Sequence, residues 1–87
     1  MTDQEKNFHG NIHLRIEEAM ILREMTVSEL SHLSGLSRPT IYKLKRDNVS
    51  RIELETLARL CHALEMPVQN LLYYEPKGQK IMPSGIG

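Results

Sequence analysis

Residues 26 to 47 contain, in close succession, the start and stop signals of two short helices. Thr26 and Glu29 have the spacing of a capping box, in which the hydroxyl accepts a hydrogen bond from the Glu29 amide and the carboxylate accepts one from the Thr26 amide. Gly35 predicts the end of the first helix, because glycine adopts the left-handed backbone conformation at little cost. A turn this tight holds two helices at a steep angle and constrains everything packed around them.

The second of these helices starts at Ser37 or Arg38. Pro39 is tolerated in the first turn of a helix, where its missing amide hydrogen has no intrahelical acceptor to lose. A proline disfavours helical dihedrals in the residue before it, which makes Arg38 one candidate for the cap, whereas the hydroxyl favours Ser37. Ile41 and Leu44 are three residues apart and predict one buried side, so the other sides face water or a ligand.

The segments around this pair also have helical patterns. Asn11 is a candidate cap for a first helix that ends near Glu24. Its apolar positions recur every three or four residues: Ile12, Ile16, Ala19 and Met20. The second helix carries Val27, Leu30 and Leu33, and a fourth helix is predicted by Leu54, Leu57, Ala58, Leu60, Cys61 and Leu64. Pro67 predicts the start of a fifth helix, which ends at Tyr73 and Tyr74. The expected fold is all-α, with five short helices.

Length and composition predict one globular domain. The chain has 87 residues, of which 40% are hydrophobic and 25% charged. We expect residues 1–10 to form an N-terminal segment, 11–74 the domain and 75–87 a flexible tail. No apolar run approaches the roughly 20 residues of a membrane span. The amino terminus lacks the apolar stretch of a secretory signal, so a cytoplasmic location without membrane association is expected.

The sequence predicts no enzyme, cofactor or metal site. Cys61 is the single cysteine, which excludes an internal disulfide, and its place on an apolar helix face predicts a core residue. His9 and His13 have the spacing of one helix face, but Gly10 and Asn11 between them predict a helix start. A metal site also needs three or four ligands. Neither an isolated carboxylate pair nor a glycine-rich phosphate loop occurs.

Charge is segregated along the chain, although the formal net charge is zero. Residues 1–33 carry six acidic and three basic side chains, whereas residues 34–51 carry five basic side chains and one acid, Asp47. The five are Arg38, Lys43, Lys45, Arg46 and Arg51. A basic zone on a neutral protein is typical of nucleic-acid binding, and a solvated charged face is the alternative.

Two short helices joined by a glycine turn, the second of them basic, form a helix-turn-helix arrangement. With their flanking segments, residues 12–72 resemble the Cro and lambda-repressor (Xre) family. The matching positions are Thr26, Glu29, Leu30, Gly35, Leu36, Ser37, Ile41, Leu44, Leu57, Leu60, Ala63, Leu64, Leu71 and Leu72. Ser31 stands where the family usually has alanine, and Met20 where many members have arginine. The resemblance implies a transcriptional regulator that binds double-stranded DNA, a repressor in particular.

The resemblance also implies roles for individual residues. The family's base-reading positions fall on Arg38, Pro39 and Lys43, with Ser37, Thr40 and Tyr42 beside them. Its phosphate contacts fall at the start of the second helix and after the third: Thr26, Val27, Lys45, Arg46, Asn48 and Arg51. Pro39 has no hydrogen to donate, so readout is expected to rest on Arg38 and Lys43, which suit the O6 and N7 acceptors of guanine.

The expected partners are DNA and a second copy of the chain. One domain of this size contacts few base pairs, so we expect a homodimer on a two-fold symmetric site. Candidates for its surface lie near the carboxyl end: Leu72, Tyr73, Tyr74, Ile81 and Met82. The alternative is an antitoxin-type DNA-binding protein whose dimer surface or tail, with Ile81, Met82 and Ile86, binds a protein partner.

Overall fold

The computed structural model describes residues 9–46 and 49–77. In these ranges four α-helices form the body of the domain, and two short strands pair at its ends. The elements are β1 (Asn11–Leu14), α1 (Ile16–Leu22), α2 (Val27–Ser34), α3 (Arg38–Lys45), α4 (Leu54–Leu64) and β2 (Leu72–Glu75). None of the described helices combines the length and the apolarity that crossing a membrane requires.

The predicted start of the first helix is wrong. Residues Asn11–Leu14 are extended and pair antiparallel with Leu72–Glu75, and α1 begins at Ile16. The spacing suggested a helix because Ile12 lies four residues before Ile16, but Ile12 is 63% exposed on the sheet. The partner strand lies at the other end of the domain, so local periodicity could not reveal the pairing.

The predicted fifth helix is also wrong. Pro67 precedes a single 3-10 turn, Val68–Asn70, in place of an α-helix. The chain is extended from Leu72 because the two tyrosines that follow favour a strand, and the pairing with β1 supplies backbone hydrogen bonds. β2 reaches Glu75, the first residue of the predicted tail. The fold is therefore mostly helical with a two-stranded sheet, rather than all-α.

The core lies where α2 packs against α3 and α4. Its side chains with no exposed surface come from all four α-helices and from the residue before β2: Ile16, Leu30, Ile41, Leu60, Leu64 and Leu71. Burial of each contributes about 1.5–3 kcal/mol. Cys61 is half-buried against this cluster. Leu33 and Leu54, which the spacing predicted as buried, are 50% and 81% exposed because they lie on the outer sides of their helices.

Some predictions fall on residues outside the described ranges. Asn48 is a predicted phosphate contact, and Ile81, Met82 and Ile86 are the residues on which the antitoxin alternative depends. They stay predictions, as does the division of the chain into a domain and two end segments.

Candidate nucleic-acid interface

α2 begins with the predicted capping box. The Thr26 hydroxyl accepts a hydrogen bond from the Glu29 amide at 3.1 Å, and the Thr26 amide donates to Glu29 Oε1 at 2.8 Å. The amide of Val27 lies in the first turn, where it has no intrahelical acceptor. First-turn amides suit a phosphate oxygen, although here the Glu29 carboxylate already accepts from the amide of Thr26.

The turn between α2 and α3 has the predicted left-handed glycine. Gly35 has a φ of +78°, and its amide donates to the Ser31 carbonyl at 2.9 Å. The Ser31 hydroxyl donates to the Leu36 carbonyl at 2.6 Å, and the Leu36 amide donates to the Ser34 hydroxyl at 3.1 Å. These bonds fix the shape of the turn. Ser31 supplies one of them, although alanine is usual at this position in the family that the sequence resembles.

Ser37 is the cap of α3, as its hydroxyl favoured, and Arg38 is the first residue of the helix. The Ser37 hydroxyl accepts from the Thr40 amide at 3.3 Å and donates to Thr40 Oγ1 at 2.9 Å. Ile41 and Leu44 are buried, as their spacing predicted. Burial of this side fixes which side of α3 faces solvent.

The solvent side of α3 is basic. Helical spacing arranges its residues in two rows, one of Arg38, Tyr42 and Lys45 and the other of Pro39, Lys43 and Arg46. Within the first row, Lys45 Nζ lies 5.8 Å from the centre of the Tyr42 ring. Arg38 and Lys43 are exposed and have no hydrogen-bond or ion-pair partner among residues 9–46 and 49–77. Since α3 contains no acidic residue, both cations are available to an external acceptor.

The remaining basic residues lie at the end of α3 and beyond it. Arg46 and Arg51 are exposed. Lys45 is half-buried and lines a concavity with His13 and Tyr73 of the sheet, so the strands lie beside the carboxyl end of α3. No local pattern indicated this neighbourhood, because both strands were predicted as parts of helices.

His13 was one of the histidines weighed as a metal ligand. Its Nε2 lies 2.9 Å from Glu75 Oε1 across the sheet. In the described part of the chain, no three His, Cys, Asp or Glu side chains are placed to hold a metal ion.

Comparison with known families agrees with this geometry. Residues 15–77 match the family model of the Cro/C1-type HTH DNA-binding domain, which extends here from the start of α1 to the end of β2. The chain belongs to this family. The resemblance seen in the sequence is therefore confirmed.

A curated relative of this Cro/C1-type domain comes from Bacillus subtilis (strain 168). It is the uncharacterized HTH-type transcriptional regulator YozG, 33% identical over 63 residues, which are 72% of this chain and 75% of YozG. The protein is thus a helical DNA-binding domain of the kind found in transcriptional regulators, and α2 and α3 form its helix-turn-helix.

Sequence reasoning missed two arginines that connect parts of this Cro/C1-type domain. Arg23 donates from Nε to the Leu64 carbonyl at 2.8 Å, and Arg59 donates from Nη1 to the Ser34 carbonyl at 3.1 Å. For Arg59 the sequence held one signal, because Glu55 lies four residues earlier at the spacing of a helical ion pair. For Arg23 no local pattern indicated an acceptor so distant along the chain.

Proposed function

We propose that this protein binds specific sites on double-stranded DNA through α3 and represses transcription from them. The observation that carries the proposal is the solvent side of α3, where Arg38 and Lys43 are exposed and unpaired among the described residues. An α-helix fits the major groove, where each base pair presents a distinct set of donors and acceptors. A protein bound over a promoter denies that DNA to polymerase, which is why we expect repression.

Base readout is assigned to the first two turns of α3. Arg38 and Lys43 suit the O6 and N7 acceptors of guanine. Thr40 and Tyr42 suit a thymine methyl group or a phosphate. Ser37 and Pro39 contact the DNA at the start of the helix and contribute shape, because the Ser37 hydroxyl already bonds to Thr40 and the proline has no amide hydrogen.

Phosphate contacts are assigned to the residues around α3. At the start of α2 they are the Thr26 hydroxyl, which only accepts in the capping box and still has its hydrogen to donate, and the Val27 amide. Beyond the first two turns of α3 they are Lys45, Arg46, Asn48 and Arg51. Each neutralised phosphate adds affinity that depends on salt and not on sequence. These contacts set the register in which Arg38 and Lys43 meet the bases.

The DNA-bound form is proposed to be a homodimer. α3 has eight residues, so a single copy reads few base pairs. Ile12 and Tyr74 lie opposite each other on the sheet, are exposed, and line one concavity with Val49 and Ile52. Arg51 lies in the same segment as Val49 and Ile52, so a second copy seated there adjoins a DNA-contacting residue in both protomers.

Selection of bound duplexes from a random pool tests the function. We expect an enriched two-fold symmetric motif whose half-sites lie about one helical turn, roughly 10 base pairs, apart. The selected duplex, placed in a reporter promoter, should lower expression when the protein is supplied. A pool that shows no enriched motif would refute sequence-specific binding, and an asymmetric motif with one protein copy per duplex would refute the dimer.

A further inference from the structure

We propose that Arg59 of α4 is a positioning residue for DNA reading: it holds the turn between α2 and α3 and thereby sets the angle at which α3 meets the groove. The inference rests on the proposed DNA-binding function and adds a residue outside the helix-turn-helix to it. The proposal assigns Arg59 no contact with DNA. It acts through the turn.

The guanidinium of Arg59 joins two groups. Its Nη1 donates to the Ser34 carbonyl at 3.1 Å, and its Nη2 donates to Glu55 Oε2 at 3.0 Å. Ser34 is the last residue of α2, so no amide of the helix donates to its carbonyl. This carbonyl also lies at the negative end of the helix dipole. Glu55 lies one turn before Arg59 on α4 and holds the guanidinium in this orientation. The planar fork makes both bonds at once, which a lysine ammonium does less well.

Arg59 also lies against Gly35. A Cβ built on Gly35 would come within 2.8 Å of Arg59 Nη1, which is too close for a real contact. The φ of +78° favours glycine at this position, and a side chain there would also displace the guanidinium from its place against the turn. The guanidinium from α4 thus lies against the turn at the position where Gly35 has no side chain.

The contact from Arg59 differs in kind from the serine hydrogen bonds of the turn. Ser31 and Ser34 bond to residues at most five positions away, so they fix the internal shape of the turn. Arg59 lies 25 positions from Ser34, so it fixes the turn relative to α4. Since α4 also packs against α2, this contact opposes rotation of the turn, and of the α3 that follows it, away from the body of the domain.

The chain supplies a matched control in Arg23. Its side chain also donates to carbonyls at a helix end, from Nε to Leu64 at 2.8 Å and from Nη2 to Glu65 at 2.9 Å, but that end belongs to α4 and is not part of the turn. Arg23→Lys and Arg59→Lys both keep the charge and lose the planar fork. A general loss of stability should affect them alike, whereas a change in the angle of α3 should follow only from Arg59→Lys.

Unfolding in urea tests the contact itself. Gly35→Ala should shift the midpoint less in the Arg59→Ala background than in the wild type, because the collision with the guanidinium has been removed and the backbone strain remains. Equal shifts in the two backgrounds would overturn the assigned contact. This measurement needs no DNA.

Duplex binding tests the role, at a temperature where every variant is folded. The readout is the ratio of affinity for the selected duplex to affinity for a scrambled one. Arg59→Lys should lower the ratio about tenfold, the equivalent of one charge-assisted hydrogen bond, and Arg23→Lys should leave it unchanged. A wild-type ratio of one overturns the proposed function. A high wild-type ratio that Arg59→Lys retains, or that Arg23→Lys lowers equally, overturns the role of Arg59 alone.

Discussion

The hydrogen bonds that shape the helix-turn-helix join residues close together in the sequence, whereas those of the sheet join residues far apart. The side-chain hydrogen bonds that shape the caps and the turn join residues two to five positions apart. In the sheet, Gly10 bonds to Tyr74 across 64 positions and His13 to Glu75 across 62. Closing so long a loop costs entropy that is recovered only when the whole domain packs. The caps and the internal shape of the turn therefore depend on residues of the helix-turn-helix itself, apart from the contact with Arg59, whereas the sheet depends on the rest of the fold.

The largest expected effect tests the long-range half of this comparison. A Cβ on Gly10 would overlap the Glu75 carbonyl oxygen and approach the Pro76 Cα to 2.7 Å. These are backbone atoms, which cannot rotate away, so we expect Gly10→Ala to lower the free energy of unfolding by about 3 kcal/mol. Urea denaturation measures it. Asn11→Ala, at the exposed next residue, should cost roughly 0.5 kcal/mol or less. Equal effects of the two variants would mean that Gly10 does not lie against β2.

A smaller effect is expected at the glycine of the turn. Gly35→Val should cost about 2 kcal/mol, because a β-branched side chain is strained at a φ of +78°. Gly35→Asn is the control: it also adds a Cβ beside Arg59, but asparagine tolerates left-handed backbone. Thermal melting should rank the wild type above Gly35→Asn and Gly35→Asn above Gly35→Val. Equal melting temperatures for the two variants would show that backbone strain is not the cause.

The smallest expected effect lies at the capping box. Thr26→Ala removes the acceptor of the Glu29 amide and should cost about 1 kcal/mol. Thr26→Ser keeps a hydroxyl at the same place and should cost much less. Hydrogen exchange should show the loss of protection at the Glu29 amide in Thr26→Ala and not in the strands. If protection in the sheet fell equally, the structure of the helix-turn-helix would not depend mainly on bonds between residues close together in the sequence.

The same contrast explains which parts of the fold could be predicted from sequence. Thr26, Gly35 and Ser37 act on backbone groups within a few residues, so their residue types alone predict two helices and a turn. The strands carried a misleading helical spacing, and their pairing depends on residues at opposite ends of the domain. A local pattern cannot distinguish a helix from a strand whose partner is distant.

The site divides in the same way. The exposed basic residues of α3 could be predicted because Ile41 and Leu44 mark its buried side. The contact of Arg59 with the turn could not be predicted, because its acceptor is the backbone carbonyl of Ser34 in another helix, and the spacing to Glu55 indicates only an ion pair within α4. The proposed base readers could thus be predicted from the sequence, whereas the proposed positioning residue could be identified only from the fold.

The proposal that some residues read bases while others contact phosphates can be tested most directly by DNA binding. Affinities for the selected and scrambled duplexes should be measured at several salt concentrations. Arg38→Ala and Lys43→Ala should each cost about 1–3 kcal/mol on the selected duplex, much less on the scrambled one, and relax the choice of base at one position. Arg46→Ala and Arg51→Ala should weaken both duplexes alike and reduce the slope of log affinity against log salt by about 0.9 each. If Arg38→Ala and Lys43→Ala left the ratio of the two affinities intact, α3 would not be the reading helix, and the central claim would be wrong.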